Sequence, residues 1–182
     1  MNESFRSKKA LQAVVYLARL GGGSVDRYSL IKMMYLADRE SLSETGQSIT
    51  GDRAYSLEYG PILSNVARLT KQGEMPDELW DACIERAGED NAVRVMTDPG
   101  QDLLTKRDCK IIERVFAKLG NMTFRQLREW SHGLPEYEEV GRGRAVIPLE
   151  RLLAHLGKSP AQISAIMEAN KEEELLRVMS AP

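Results

Sequence analysis

LIKMMYLADRESLSETGQSITGDRAYSLEYGP, residues 30–61, is the stretch that decides how the rest of the chain is read. Leu30, Ile31, Met34, Tyr35 and Leu42 fall at helical spacing and give one apolar face, with Lys32, Arg39 and Glu40 on the others. Gly46, Gly51 and Asp52 then break the helix and turn the chain. Tyr55, Leu57 and Tyr59 alternate with Ala54, Ser56 and Glu58, a half-buried strand running into Gly60-Pro61. Proline has no N–H and a φ preset for a first helical turn. A third helix is therefore expected within a residue or two of Pro61, with Ile62, Val66 and Leu69 buried and Gly73 as its stop.

Working outward, residues 5–20 read as an amphipathic helix with Leu11, Val14, Val15 and Ala18 on one face, ended by Gly21-Gly22-Gly23. Asp26 is placed to cap the helix that follows. Downstream, Trp80, Ala82 and Ile84 alternate with polar neighbours, and Val93 and Val95 do the same after the Gly88–Asn91 turn. This predicts a hairpin that adds to the 53–59 strand; a helix from Pro76-Asp77-Glu78 through Cys83 is the alternative. Thr105 with Asp108 and Thr123 with Gln126 form capping boxes ahead of two further helices. Gly141–Arg144 has the composition of a mobile loop. Pro148 opens a short helix and Ser159-Pro160 a last one, whose Lys171–Glu174 end is solvated and expected to fray. The expectation is a mainly α, α+β fold: one domain over 1–182, about six helices, a small antiparallel sheet and a frayed tail at 171–182.

A chain of 182 residues, 42% hydrophobic and 29% charged, is long enough to bury a sizeable core. The formal net charge of −2 provides no global field to draw it to nucleic acid or to an anionic membrane. Cys83 and Cys109 read as reduced structural thiols, and two cysteines with two histidines in no cluster argue against zinc. The start of the chain is polar, and no apolar run approaches the length of a membrane span, so a cytoplasmic protein is expected.

Asp38, Glu40, Asp52 and Glu58 form a carboxylate set, and with His132 they offer an acid–base reading through Asp38, Asp52 and His132. Spacing supplies no nucleophile or metal ligands beside them. The plainer reading has Asp38 and Glu40 facing solvent, Asp52 bonding a backbone N–H in a turn, and a buried His132 fixing a helix end before Pro135. Tyr35 and Tyr59 read mainly as core. The first two helices also permit a helix-turn-helix, in which residues 27–40 enter a major groove, but Asp38, Glu40 and Glu44 on that element would repel phosphates.

The run Lys32-Met33-Met34-Tyr35-Leu36-Ala37-Asp38, then Ile49-Thr50-Gly51-Asp52, then Glu58-Tyr59-Gly60-Pro61, resembles the signature of the SocA-like Panacea domain. The resemblance continues through Phe124–Tyr137, where His132, Pro135 and Tyr137 stand where the family often has a His, a Pro and an aromatic, and it extends over residues 8–168. Gly133 departs from it, since many members carry an acidic residue after the His. The resemblance implies an antitoxin of a toxin–antitoxin pair, often prophage-borne, that is not an enzyme and needs no cofactor. Its implied partner is a cognate protein toxin, with a protease or chaperone system as a further one; membrane and nucleic acid are not implied. Lys32, Tyr35, Asp38, Gly51, Asp52 and Gly60 would then be the structural signature. Tyr55, Glu58, Tyr59, Pro61, His132, Pro135 and Tyr137 would line the partner surface, the Tyr55–Pro61 strand offering an open sheet edge.

Overall fold

The helix boundaries follow local capping chemistry. The computed structural model describes residues 4–179, and its first helix, α1 (Ser7–Leu20), stops at Gly21, after which Gly22 and Gly23 adopt φ of +82° and +90°. A three-residue strand, β1 (Ser24–Asp26), delivers Asp26, whose carboxylate accepts from the Ser29 N–H at 2.8 Å and caps α2 (Arg27–Thr45). Gly46 ends α2 in the left-handed conformation. The capping boxes at Thr105/Asp108 and Thr123/Gln126 are both formed, opening α5 (Lys106–Leu119) and α6 (Phe124–His132). Pro148 precedes α7 (Leu149–His155), and the Ser159 hydroxyl accepts from the Gln162 N–H at the start of α8 (Pro160–Met179).

α2 is the axis of the molecule. It packs against α1, α5, α6, β1, the strand β3 (Gly60–Leu63) and the short helix α3 (Ser64–Leu69). Every residue from Leu30 to Asp38 is buried, Lys32 and Asp38 included. The expected division into one apolar face and polar others fails because α2 is enclosed on all sides. Its charged residues are accommodated by hydrogen bonds inside the protein. One continuous core runs from Phe5 to Leu153. Met33 and Met34 lie at its centre with no exposed surface, each contributing roughly 1.5–3 kcal/mol by burial.

Two small antiparallel sheets flank this axis. In the first, β2 (Ala54–Leu57) pairs with β3 on one side and with β6 (Arg144–Val146) on the other. Gly60-Pro61 therefore does not lead directly into a helix. The chain turns at Glu58-Tyr59, Gly60 takes φ of +97°, and Pro61 lies in a returning strand opposite Ser56 before α3 starts at Ser64. Proline is tolerated there because β3 is an edge strand, where a missing N–H breaks no second ladder. α3 ends at Leu69, ahead of Gly73.

The second sheet has the order β1–β5–β4, with β4 (Ile84–Glu85) and β5 (Ala92–Val95) joined as a hairpin. It pairs with β1 and not with the 53–59 strand. Most of its expected first arm is a helix, α4 (Glu78–Cys83), because the Asp77 carboxylate accepts from the N–H groups of Leu79 and Trp80. Trp80 and Cys83 then fall on one buried face. Among the described residues there are eight helices, and none is long and apolar enough to cross a membrane. Residues 171–179, expected to fray, continue α8 as helix, exposed at each position whose burial is described; the remainder of that tail lies outside the described residues.

Candidate functional site

Three carboxylates fasten separate parts of the chain together, two of them at α2 and one at α3. Asp38 is 3% exposed; its Oδ1 accepts from the N–H groups of Ile49 and Thr50 at 2.8 and 3.0 Å, and the Thr50 hydroxyl donates to Oδ2. Burial pushes its pKa up to about 6 against the pull of those donors. Asp52 accepts from the N–H groups of Asn65 and Val66 at 2.8 and 2.9 Å and from the Asn65 amide at 2.9 Å, so it caps α3; burial raises its pKa to about 6 as well. Between them, Gly51 has φ of +68°, and a Cβ there would run into the Ser4 carbonyl. Glycine is required because the N-terminal segment lies against this turn, the Arg6 N–H donating to the Thr50 carbonyl at 2.8 Å.

The third carboxylate, Glu136, comes from the loop after α6. Fully buried, it accepts from the Tyr35 hydroxyl at 2.7 Å and from Arg39 through Nε at 2.6 Å and Nη2 at 3.3 Å. Burial alone would raise its pKa, but the Arg39 and Tyr35 donors outweigh it and hold Glu136 below the usual carboxylate range. Burial, reinforced by the Glu136 charge, drives the Tyr35 hydroxyl up.

A second cluster sits on the N-terminal half of α2, under the β2–β3 turn. Lys32 is 2% exposed, and its Nζ donates to the Pro61 carbonyl at 2.9 Å and lies 5.4 Å from the Tyr28 ring centroid. Burial lowers its pKa to about 7, and no carboxylate pairs with it among the described residues. Gly60 covers it: a Cβ there would stand 2.9 Å from Lys32 Nζ and overlap Ser131 Oγ. Outside this base the rings of Tyr28 and Phe124 lie 4.3 Å apart, Tyr59 meets Phe124 edge-on at 5.7 Å, and the Arg128 guanidinium is 5.6 Å from the Tyr59 ring. Tyr59 is 45% and Phe124 51% exposed. Alongside, the His132 and Tyr137 rings stack at 4.4 Å. Burial, with the Arg128 charge, lowers the His132 pKa, so its imidazole is neutral at pH 7.

Residues 30–137, more than half of the chain's 182, match the antitoxin SocA-like Panacea domain. The chain belongs to this family. Comparison with curated proteins and with solved structures gave no match. The Panacea match runs from Leu30 in α2 through the loop after α6 and takes in both clusters except Tyr28, while α1, β1, β6, α7 and α8 lie outside it.

Within this Panacea protein, the residues singled out in the sequence separate into two roles. Lys32, Tyr35, Asp38, Gly51, Asp52 and Gly60 are interior fasteners or sites of close backbone approach. Asp38 does not face solvent, as expected from the sequence, because the 49–50 turn folds over it. Glu58, Tyr59, Pro61, His132 and Tyr137 gather at the β2–β3 turn, but Pro61 is buried and offers its carbonyl to Lys32. Tyr55 and Pro135 lie apart from the exposed rings: Tyr55 stacks with Arg144, and Pro135 is exposed on the loop beside Glu136. Nor is the Tyr55–Pro61 strand an open edge, since β2 is paired on both sides.

Sequence reasoning missed Glu136, Phe124 and Arg128. The signal for Glu136 was its place between Pro135 and Tyr137; for Phe124 it was the first helical position after the Thr123 cap, where a side chain can project past the core. The acid–base set is not assembled. Asp38 and Asp52 are neighbours filled by backbone donors, while the charges around His132 are those of Arg128, Lys32 and Glu139. The helix-turn-helix geometry fails too, because the helix meant for the groove is buried from Leu30 to Asp38. Among the described residues no group of His, Cys, Asp and Glu is arranged to hold a metal.

Proposed function

We propose that this protein is an antitoxin that neutralises a cognate protein toxin by direct contact, and that Tyr59, Phe124 and Arg128 are the centre of the contacting face. The observation that carries this reading is the exposed aromatic–guanidinium patch held on a rigid base of Lys32, Gly60 and Ser131. Aromatic and arginine side chains with little freedom left to lose are the residues that dominate binding energy at protein interfaces. Glu58 borders the patch, and the stacked His132–Tyr137 pair supports it from beside. Neutralisation would be steric, the patch covering the working face of the toxin, with no chemistry required of the antitoxin. A role in presenting the toxin to a protease or chaperone is compatible with this contact.

The test is co-expression with the product of the adjacent reading frame, followed by purification of the complex. Tyr59→Ala and Arg128→Ala should leave the thermal midpoint near that of the parent, because both side chains stand at the surface. Each should weaken the complex by about 30-fold or more, the scale of a hot-spot contact of ~2 kcal/mol. Variants that bind at parental strength but fail to neutralise at any excess would instead point to an enzyme.

A further inference from the structure

A trench of about 460 Å³ runs beneath α8, between that helix, the C-terminal half of α2, the 48–53 turn and the segment from Val146 to Leu152. Its floor is apolar, formed by Leu42, Ala54, Leu63, Ile147 and Leu152. The helix above it is thinly held: no α8 side chain whose exposure is described is fully buried, and Ile163, Ile166, Met167 and Asn170 are only half covered. Ile166 rests on Gly46, and Glu173 reaches Arg6 Nη1 at 2.7 Å in a pair that is largely open to solvent.

The polar lining is lopsided. The buried Asp38 and the half-buried Asp52 are already saturated by backbone and side-chain donors. The donors are not: among the described residues Arg6 Nε is buried without a partner, Arg39 uses only Nε and Nη2, and the Arg53 side chain makes no hydrogen bond or ion pair. Glu150, exposed on the rim, is the opposing free acid. An apolar floor edged by unused cationic donors is complementary to an apolar helix face that carries a carboxylate. α8 presents a partial version of that face, with Ile163, Ile166 and Met167 at helical spacing and Glu173 on Arg6.

We propose that α8 is a displaceable occupant of this trench, and that the trench receives an acidic amphipathic helix of a partner protein. The α2 side chains that line the trench, Tyr35, Asp38, Arg39 and Leu42, lie three to ten residues, roughly 5–15 Å, along the helix from Lys32, and the proposal does not depend on the toxin-contact reading of the patch there. While α8 is docked, the apparent affinity for a competing helix is reduced by the fraction of molecules in which the trench is open.

The test uses the full chain and a fluorescent peptide of residues 160–179 as probe. An Ile166→Ser/Glu173→Gln double variant, which loosens the resident helix, should bind the peptide about tenfold more tightly than the parent chain. Adding Arg6→Gln and Arg53→Gln should remove that gain, and a peptide carrying Glu173→Gln should bind more weakly than the parental peptide. In the unmodified chain, hydrogen exchange of α8 amides should be much faster than that of Met33 and Met34. Equal peptide affinity in parent and loosened chains, equal binding of a scrambled peptide, or α8 protection matching that of α2 would overturn the proposal. A dimer formed by the loosened variant without peptide binding would assign the trench to a second copy of this chain and overturn it as well.

Discussion

Asp38→Asn isolates the electrostatic consequence of placing a carboxylate in the centre of the fold. The asparagine Oδ1 can keep the bonds from the Ile49 and Thr50 N–H groups, and its amide can donate to the Thr50 hydroxyl oxygen, which already accepts from the Asp52 N–H. What the substitution removes is a buried charge. Asp38 is raised from 3.8 to about 6 in the folded protein, chiefly by burial. A folded-state pKa above the unfolded one contributes stability that is complete below pH ~4 and is lost as pH rises through about 6. At 1.36 kcal/mol per tenfold change in acidity, the loss is about 3 kcal/mol. Groups not coupled to Asp38 cancel in the difference between them; Asp52, whose charge helps to raise Asp38, contributes a smaller part of the same change. Urea unfolding at pH 4 and pH 7.5 should therefore show the asparagine variant gaining about 3 kcal/mol on the parent between the two conditions, a relative midpoint shift of roughly 1–3 M. A stability gap that stays constant across that interval would refute the account of Asp38 as a buried, charge-bearing fastener.

Tyr35→Ala should cost about 3–5 kcal/mol, as for other large buried aromatics, and Tyr35→Phe about 1.5–3 kcal/mol through the lost bond to the Glu136 carboxylate; an unchanged thermal midpoint for the alanine variant would contradict its place in the core. Gly60→Ala should destabilise by roughly 1–3 kcal/mol because φ is +97° and the new methyl would overlap Ser131 Oγ. Adding Ser131→Ala should recover the part of that loss due to the overlap with Oγ and leave the backbone part and the 2.9 Å approach to Lys32 Nζ, and a Gly60→Ala protein as stable as the parent would disprove the described turn.

The features that were legible in the sequence are those decided within a few residues. The Asp26 cap and the two capping boxes each depend on a side chain and a backbone N–H three positions away, and all three are found where the sequence placed them; the glycine stops after α1 and α2 are found too, whereas α3 ends at Leu69, short of Gly73. The five-residue alternation of Trp80–Ile84 also satisfies the i, i+3 spacing of Trp80 and Cys83, and the Asp77 cap decides for the alternative, the helix through Cys83. Gly60-Pro61 is compatible locally with a helix start or with an edge strand. The choice is made by the turn at Glu58-Tyr59 and by the pairing with β2. Lys32 and Asp38 looked like solvent-facing charges because nothing near them in sequence shows that α2 is enclosed. The Glu136 that receives Tyr35 is 101 positions away, beyond the reach of any periodicity.

The pairing of β2 with β6 also bears on how the chain acquires its shape during synthesis. Tyr55 and Val146 face each other across about ninety residues, so at roughly 5–20 residues per second the far edge of β2 stays unpaired for ~5–20 s after it leaves the ribosome. Hairpin formation with β3 needs only the next few residues and leaves the row of N–H and C=O groups on the opposite side of Ala54–Leu57 open throughout that delay. An unpaired edge is a template for any extended segment nearby, whether from a neighbouring nascent chain or from a partner made at the same time. The brief strand Arg144–Val146 thus serves as a late clasp, and truncations that end before it would release a protein whose sheet is still open to capture.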